Sequence, residues 1–299
     1  MKYIVVGGAG FIGSNLVDKV ISEGHEVHVI DNFSYGKKEN CNNKAIYHEY
    51  DISDTTLYNK FVNIMNNATC VFHLAAMVRV QPSIDNPIMY EKNNTIGTIN
   101  MLKCANDAQV KRFIYSGSAA VYGDTKSIPN KETDSINPLS PYAVQKYYGE
   151  IICKMFSKIY NIETVCLRYF NVYGERQPLS GAYAIVIGIF LNQYLNKKKL
   201  TITGDGEQKR DFIYVQDVVN ANILASQSNQ VGKGEIINIG NGNSISINQI
   251  ADFIGGERVY VDKVLEPRES LACNKKAKKL LNWKPTMLVE DWIKKYKYE

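Results

Sequence analysis

The chain has 299 residues, of which 45% are hydrophobic and 22% are charged, which is typical of a globular protein with a sizeable core. The formal net charge of +5 comes from scattered lysines and two lysine clusters, and the basic stripe with interleaved aromatic residues that a nucleic-acid interface needs is not seen. The most apolar segment, residues 182–191, is too short to span a bilayer.

The six cysteines and four histidines lack the spacings that are typical of zinc sites, and no C-x-x-C pair occurs. Free thiols in a reducing cytoplasm are the simplest interpretation of these cysteines. Residue 1 runs directly into a strand pattern, so we expect no signal peptide. The sequence therefore predicts a cytoplasmic protein without a bound metal, a nucleic-acid partner or a membrane partner.

Strand-like and helix-like segments alternate through the first half of the chain. Short apolar runs rich in β-branched residues occupy 3–6, 26–30, 70–74, 112–116 and 164–169, and apolar residues at helical spacing cover 13–23. Such alternation predicts a parallel sheet that is covered by helices on both faces. The predicted fold class is therefore α/β, a doubly wound parallel Rossmann sheet.

The alternation breaks after Gly174. A segment rich in Pro, Ser and Gly precedes an apolar helix, and a glycine-rich turn at 204–206 precedes one more strand at 235–239 and a helix at 275–281. No linker separates these elements from the first half of the chain. We therefore predict a large domain from residues 1–170 and 209–240, and a smaller C-terminal α/β domain from residues 171–208 and 241–299.

A glycine-rich loop, Gly-Gly-Ala-Gly-Phe-Ile-Gly at 7–13, follows the first strand and opens the first helix. Glycines there allow a tight turn, a close approach of the backbone to a pyrophosphate and close packing of helix on strand. The amides at the start of the helix would bind the diphosphate. Asp31 ends the second strand, where a carboxylate accepts hydrogen bonds from ribose hydroxyls and repels a 2′-phosphate. Together these features predict an NAD site rather than an NADP site.

Tyr142 and Lys146 are four residues apart in a predicted helix, so their side chains share one face. An ammonium beside a phenol favours the phenolate, so we expect Lys146 to lower the pKa of Tyr142 from its usual value of about 10. Tyr142 would then be a usable general base, and Ser118 would bond the same substrate oxygen. In a chain with 20 tyrosines, this spacing alone would more often be a surface pair.

These residues, together with the segments 72–76, 93–94, 168–174 and 206–212, occur in the order seen in extended short-chain dehydrogenases/reductases. Over essentially the whole chain, the sequence most resembles the UDP-hexose 4-epimerases. The resemblance implies that the large domain binds NAD and that the smaller one binds a nucleotide sugar. The implied NAD contacts are Gly7, Gly10, Phe11, Ile12, Gly13, Asp31, Asn32, Ser34, Asp51, Ile52, Leu74, Ala75, Ala76, Asn94, Ser116, Tyr142, Lys146 and Tyr169.

The resemblance also implies a reaction. Dehydratases of this family carry an acidic pair directly after the position of Ser118, and the decarboxylases carry a glutamate at the position of Ala120. Here Ala119 and Ala120 occupy these positions and cannot transfer a proton. What remains is oxidation at C4 with Ser118, Tyr142 and Lys146 as catalytic residues, rotation of the 4-keto sugar, and return of the hydride. The implied function is C4 epimerisation of a UDP-hexose with NAD regenerated.

The implied substrate contacts are Ser118, Tyr142, Asn171, Val186, Ile187, Arg210, Lys263, Arg268 and Ser270. Lys263 stands where relatives have a phosphate-binding arginine, and Arg268 could substitute after a small shift of its loop. Thr203 stands where relatives often place an aromatic residue against uracil, which leaves the base open. Ser270 is at the position that gates sugar size, so we expect UDP-GlcNAc and UDP-GalNAc to be accepted alongside, or in preference to, UDP-Glc and UDP-Gal.

Three alternatives stay open. Arg176 could bind a substrate carboxylate in a UDP-glucuronate 4-epimerase, although a surface arginine is the simpler interpretation. A 4-keto-sugar reductase on the same fold would need external NADH. A non-catalytic NAD-sensing regulator is a different class, but it has no reason to keep Ser118, Tyr142 and Lys146 together. Apolar helices near 99–105 and 148–159 allow the homodimer that is common among such relatives.

Overall fold

The computed structural model describes residues 1–181, 184–263 and 266–298. Within these ranges the strands are β1 (Lys2–Val6), β2 (Glu26–Asp31), β3 (Ile46–Glu49), β4 (Ala68–His73), β5 (Arg112–Ser118), β6 (Glu163–Tyr169), β7 (Asn171–Tyr173), β8 (Leu200–Thr203), β9 (Lys209–Tyr214), β10 (Lys233–Ile239), β11 (Ser244–Ser246) and β12 (Arg258–Val261). The α-helices are α1 (Phe11–Ser22), α2 (Tyr58–Met65), α3 (Val80–Asp85), α4 (Pro87–Glu91), α5 (Gly97–Asp107), α6 (Pro141–Ile159), α7 (Val186–Leu195), α8 (Val215–Gln227), α9 (Ile247–Ile254), α10 (Lys275–Leu281) and α11 (Val289–Tyr298). None of the helices in the described ranges is both long and apolar enough to cross a membrane.

Seven strands form one parallel sheet in the order β10-β6-β5-β4-β1-β2-β3. β1 pairs with β2 on one side and with β4 on the other, so the direction of winding reverses beside β1. Ligands of open α/β sheets bind outside the carboxyl ends of the strands at such a reversal. The predicted doubly wound parallel sheet is confirmed, and it fixes where a site should lie.

Both faces of this sheet are buried. Tyr3 and Val5 of β1 pack into one apolar core with α1 and α8, whereas Ile4 and Val6 pack into a second core with α2, α5 and α6. Successive side chains of a strand point to opposite faces, so a strand covered on both sides must be apolar throughout. This explains the uninterrupted apolar runs in the sequence.

A smaller unit packs at the carboxyl end of the large sheet. It contains a three-stranded sheet in the order β11-β9-β7 and a parallel pair, β12-β8. With α7, α9 and α11 these strands enclose a third core, which includes Tyr173, Phe190, Ile202, Phe212 and Trp292. The smaller C-terminal α/β unit that the sequence predicts is therefore present.

The division into two domains stays a prediction. The packing favours other boundaries at two places. The sequence assigns 209–240 to the large domain, whereas β9 pairs with β7 and β11 of the small sheet. The sequence assigns 241–299 to the smaller domain, whereas Ala277, Leu281 and Trp283 pack into a core of the large sheet. Apolar spacing predicts that a segment is a strand or a helix without revealing which sheet it joins.

Candidate active site

The glycine loop joins β1 to α1 in the shape that a dinucleotide needs. Gly7 has a φ of +84°, and a Cβ added to it would lie 2.6 Å from the backbone N of Ala75. A Cβ on Gly13 would lie 2.1 Å from the carbonyl oxygen of Gly7, so α1 packs directly on the loop. Gly10 is the N-cap of α1 and gives it no side-chain cap, so the first amides of α1 can bind a diphosphate.

Asp31 lies at the carboxyl end of β2, and its side chain is turned towards the glycine loop. Its carboxylate accepts from the backbone N of Ala9 and of Phe33, each at 2.9 Å, and the residue is 8% exposed. Burial raises the pKa of this carboxyl group. A carboxylate has about four acceptor sites, so lone pairs are left for ribose hydroxyls. Asp31 and the loop therefore fit NAD.

A cleft runs along this edge of the sheet. Half of the eighteen predicted NAD contacts line it: Gly7, Gly10, Asp31, Asn32, Ser34, Ile52, Leu74, Ala75 and Ala76. The cleft is also lined by residues that were not predicted from the sequence: Ile30, Tyr35, Gly36, Tyr50, Met77 and Asn93. Among these residues, Gly36 packs so closely on Asp31 that a Cβ added to it would lie 2.8 Å from Oδ1 of Asp31. Phe11 and Ile12 lie half-buried in the first turn of α1.

Several other predicted NAD contacts use their polar groups within the protein. The amide of Asn94, in a π-helical turn between α4 and α5, bonds both backbone groups of Met77 and the side chain of Gln145. The hydroxyl groups of Ser116 and Tyr169 bond each other at 3.1 Å, and Tyr169 also bonds Asn222. Asp51 accepts from Asn32 and Ser53. Their contacts with NAD stay predictions.

The three predicted catalytic residues come together where β5 meets α6. Ser140 caps α6 by accepting from the backbone N of Ala143 at 3.2 Å, and Pro141 occupies the first turn, so the helix starts just before Tyr142. Ser118 ends β5 and bonds the Tyr142 side chain. Lys146 lies one turn later, with Nζ 6.0 Å from the centroid of the Tyr142 ring.

The electrostatics of this trio differ from the sequence-based expectation. Burial raises the pKa of Tyr142, against opposing effects of the Ser118 hydrogen bond and the positive charge of Arg79. Lys146 instead donates to the carbonyl oxygen of Ser116 at 2.8 Å, and burial lowers its own pKa to about 8. Desolvation of the phenol outweighs the charges around it, so the net lowering of the Tyr142 pKa that the sequence suggests is not seen, while the effect of Lys146 on Tyr142 stays a prediction.

A buried ion pair lies beneath Lys146. Glu150, one turn further along α6, bonds Arg168 of β6 through both carboxylate oxygens, at 2.8 and 2.7 Å, and its negative charge raises the pKa of Lys146 against the effect of burial. Arg168 also lies over the ring of Tyr122 at 4.8 Å. This pair was not predicted from the sequence. Glu150 follows Lys146 by four residues, as Lys146 follows Tyr142, and this spacing indicates that Glu150 lies on the same face of the helix.

The predicted diphosphate-binding residues are held by neighbouring groups. Asn171 donates to the carbonyl oxygen of Asp211 at 2.9 Å, and Arg210 forms an ion pair of 2.5 Å with Glu266. Arg268 pairs with Asp205 at the surface, and the exposed Lys263 lies beside the Gly204 turn. The contacts of these residues with a diphosphate stay predictions.

The remaining predicted substrate residues lie in the first turn of α7 and in the loop between β12 and α10. Val186 is half-buried at the start of α7, whereas Ile187 is fully buried in the third core, so only its backbone can face a nucleotide. The hydroxyl of Ser270 is buried and has no hydrogen-bond partner among the described residues. Arg176 pairs with Asp18 at 2.6 Å on the surface, which favours the simpler interpretation of this arginine.

Gln177 is a residue that the sequence analysis missed. It is 8% exposed, and neither its amide nitrogen nor its amide oxygen has a partner in the part of the chain that the structure describes. Buried amides are nearly always bonded, so this amide beside α7 is available to bond an ordered water or a ligand. In the sequence, Gln177 lies in a turn after Gly174, and nothing in that pattern indicates a buried amide.

Comparison with known proteins agrees with this site. The model of the NAD dependent epimerase/dehydratase family matches residues 3–240. A relative from Methanocaldococcus jannaschii, named provisionally as a UDP-glucose 4-epimerase, is 40% identical over 303 residues, which cover 98% of this chain and 96% of the relative.

Solved structures of UDP-sugar epimerases also match the chain. A UDP-glucose 4-epimerase from Thermotoga maritima with UDP-glucose is 37% identical, with a TM-score of 0.93 and 100% of both chains covered. A UDP-N-acetylglucosamine 4-epimerase from Methanobrevibacter ruminantium, in complex with UDP-N-acetylmuramic acid, is 36% identical, with a TM-score of 0.92 over 98% of this chain and 95% of its own. A UDP-glucuronic acid 4-epimerase from Bacillus cereus, with UDP-glucuronic acid and NAD, is 31% identical, with a TM-score of 0.89 over 100% of this chain and 98% of its own. The predicted fold, family and cofactor NAD are confirmed: the chain belongs to the NAD-dependent epimerase/dehydratase family.

Proposed function

We propose that the chain catalyses NAD-dependent C4 epimerisation of a UDP-hexose through a 4-keto intermediate. The observation that carries this proposal is the assembly of Ser118, Tyr142 and Lys146 at the carboxyl edge of the sheet, next to the cleft that fits NAD. A non-catalytic NAD sensor on this fold has no need of that trio. A 4-keto-sugar reductase would use the same trio, but it would need external NADH for every turnover.

In this mechanism Tyr142 takes the proton of the C4 hydroxyl, and Ser118 holds the same oxygen by a hydrogen bond. NAD, when held by the glycine loop and Asp31, would supply reversible hydride transfer at C4. Lys146 adds a positive charge next to the ring of Tyr142. Ala119 and Ala120, directly after Ser118, offer no proton for elimination or decarboxylation, so the 4-keto sugar can only be reduced again.

Rotation of the keto sugar requires that the protein bind the diphosphate tightly and the sugar weakly. Arg210 and Asn171 are proposed to bind the diphosphate, because charge-assisted bonds to phosphate are strong. Glu266 pairs with the Arg210 guanidinium and would hold its orientation. The base is proposed to be uridine, as in the named relatives, although Thr203 bonds Gln208 rather than offering an aromatic surface.

We further propose that UDP-GlcNAc and UDP-GalNAc are substrates. Ser270 is a small residue at the position that gates sugar size in the resembled family, and its buried hydroxyl has no partner among the described residues, so it is a candidate to bond an N-acetyl substituent. The Methanobrevibacter relative is named for UDP-N-acetylglucosamine. UDP-glucuronate is a weaker candidate, since Arg176 is already paired with Asp18.

The test is product analysis of purified protein with a panel of UDP-sugars and no added cofactor. We expect the C4 epimers of UDP-Glc and UDP-GlcNAc to form, and we expect NAD to be released when the protein is denatured. In the variant Ser270→Tyr, turnover of UDP-GlcNAc should be lost while that of UDP-Glc is kept. A requirement for NADH would favour the reductase, and absence of UDP-GlcNAc turnover in the wild type would refute the substrate proposal.

We also propose a cytoplasmic homodimer that pairs through α6 and its neighbours. Ile151 and Ile159 of α6 are exposed, and Ile88 of α4 is 85% exposed. In contrast, the apolar residues of α5 mostly pack inside the protein, so α4 rather than α5 offers apolar surface beside α6. The mass of the protein in solution tests this, and a monomer at micromolar concentration would contradict it.

A further inference from the structure

Gln145 lies on α6 between Tyr142 and Lys146, and no role was predicted for it from the sequence. Residues three apart are neighbours on a helix surface, so Gln145 lies beside Tyr142 on α6. Its side chain is deeply buried, and the residue is 3% exposed. A buried amide needs partners for both its oxygen and its nitrogen, and here these partners connect the catalytic helix to the cofactor cleft.

The first partner of Gln145 is Asn94, which lies in the π-helical turn Lys92–Ile96 between α4 and α5. The oxygen Oε1 of Gln145 accepts from Nδ2 of Asn94 at 2.9 Å. The same Nδ2 donates to the carbonyl oxygen of Met77 at 2.8 Å, and Oδ1 of Asn94 accepts from the backbone N of Met77 at 2.8 Å. Single π-helical turns within helices are frequent at functional sites. Asn94 therefore joins the catalytic helix to the loop after β4.

The donors and acceptors of this network allow each amide only one orientation. A backbone N–H can only donate and a carbonyl oxygen can only accept, so Met77 fixes both ends of the Asn94 amide. The second hydrogen of Nδ2 requires an acceptor, which Oε1 of Gln145 supplies. The nitrogen Nε2 of Gln145 then donates to the Glu91 carboxylate at 3.1 Å. Both hydrogens of the Asn94 amide are thus used, and one lone pair of its oxygen is left for a hydroxyl group of NAD.

The loop that Asn94 holds forms one wall of the cofactor cleft. Met77 lines the cleft together with Leu74 and Ala75. At the start of this loop, the backbone N of Leu74 and of Ala75 donate to the carbonyl oxygen of Val6, at 2.8 and 2.9 Å. The loop is therefore bonded to β1 at its start and, through Asn94, to α6 at Met77.

We propose that Gln145 is a positioning residue that, through Asn94, holds the wall of the NAD cleft in register with the catalytic helix. Without the Gln145 oxygen, a buried N–H of Asn94 would lack an acceptor, which is costly, so Asn94 and the loop at Met77 would shift. NAD would then be held less tightly and would lie less well placed for Tyr142. The effect on the reaction rests on the proposed epimerase function, whereas the effect on NAD binding does not.

The test compares the wild type with Gln145→Met, which keeps the length of the side chain and removes both hydrogen bonds. Gln193→Met is the matched control, because the Gln193 amide also donates one bond and accepts one, both with Thr201 and outside the catalytic centre. The measurements are the rate at which NAD leaves the protein on dilution, the melting temperature, and kcat and KM for UDP-Glc with NAD added to saturation.

We expect Gln145→Met to release NAD about tenfold faster and to have a kcat about tenfold lower, while KM changes less than about twofold. Gln193→Met should match the wild type in NAD release and kcat, even where it melts lower. A second variant, Gln145→Glu, keeps an oxygen for Asn94 but cannot donate to Glu91, so its NAD release should stay within about threefold of the wild type. If Gln145→Met does not fold, Gln145→Ser replaces it and should likewise release NAD faster than the wild type.

Two results would overturn the inference. Gln145→Met could keep the NAD release and kcat of the wild type while melting lower, as the control does, which would indicate a purely structural role. Gln145→Met and Gln145→Glu could release NAD equally fast, which would exclude the bond to Asn94 as the cause. A wild-type protein that retains NAD but epimerises no UDP-hexose would instead refute the proposed function, and NAD release would still test Gln145.

Discussion

Replacement of Glu150 by glutamine should destabilise the fold and slow the reaction, for two separable reasons. Glu150 and Arg168 form a buried ion pair with two hydrogen bonds, at 2.8 and 2.7 Å, and their side chains are 0% and 1% exposed. Removing one charge of a buried pair costs about 3–5 kcal/mol, because the other charge stays buried without a counter-ion. A glutamine keeps one acceptor oxygen, so we expect about 3 kcal/mol.

That loss corresponds to a fall of roughly 6–12 °C in melting temperature for a chain of this size. The double variant Glu150→Leu with Arg168→Met removes both charges and keeps apolar volume. Because no unpaired charge remains, it should recover most of the stability. Melting curves of the wild type, the single variant and the double variant, compared at equal NAD content, measure this difference.

The rate of NAD reduction, unlike the stability, should not recover in the double variant. The charge of Glu150 raises the pKa of Lys146, which burial lowers to about 8, so both variants should leave Lys146 less protonated at neutral pH. Single-turnover reduction of NAD should therefore be slow in both. The reasoning is refuted if Glu150→Gln melts within about 2 °C of the wild type, or if the double variant is as unstable as the single one.

Three further variants test the site. Gly7→Ala should lose retained NAD because its Cβ would lie 2.6 Å from the backbone N of Ala75, whereas Gly24→Ala, also at positive φ, meets nothing within 4 Å; equal NAD content in the two purified variants would contradict this. Tyr142→Phe should abolish epimerisation and keep the NAD, and unchanged turnover would exclude Tyr142 as the base. Arg79 has a φ of +98° where the chain enters α3, so Arg79→Gly should melt about 2 °C or more above the wild type, since glycine relieves the positive φ; a lower melting temperature would argue against backbone strain.

Residues close together in the chain were enough to predict the parts of the site that form locally. The glycine loop lies between β1 and α1, Asp31 ends β2, and α6 starts after Ser140 so that Tyr142 and Lys146 occupy successive turns. Strand-turn-helix geometry, helix capping and four-residue spacing act over a few residues, so a sequence pattern carries them. The parallel sheet followed from the alternation of such units.

The tertiary structure alone decided the charges around Tyr142. Lys146 is near Tyr142 in the chain, yet it bonds a carbonyl group of β5, while burial raises the pKa of the phenol against the effects of the distant Ser118 and Arg79. The pairing of Glu150 with Arg168 and the place of β9 in the small sheet were likewise undecided by the sequence. Desolvation and charge pairing depend on which elements pack together, and that information lies in no local pattern.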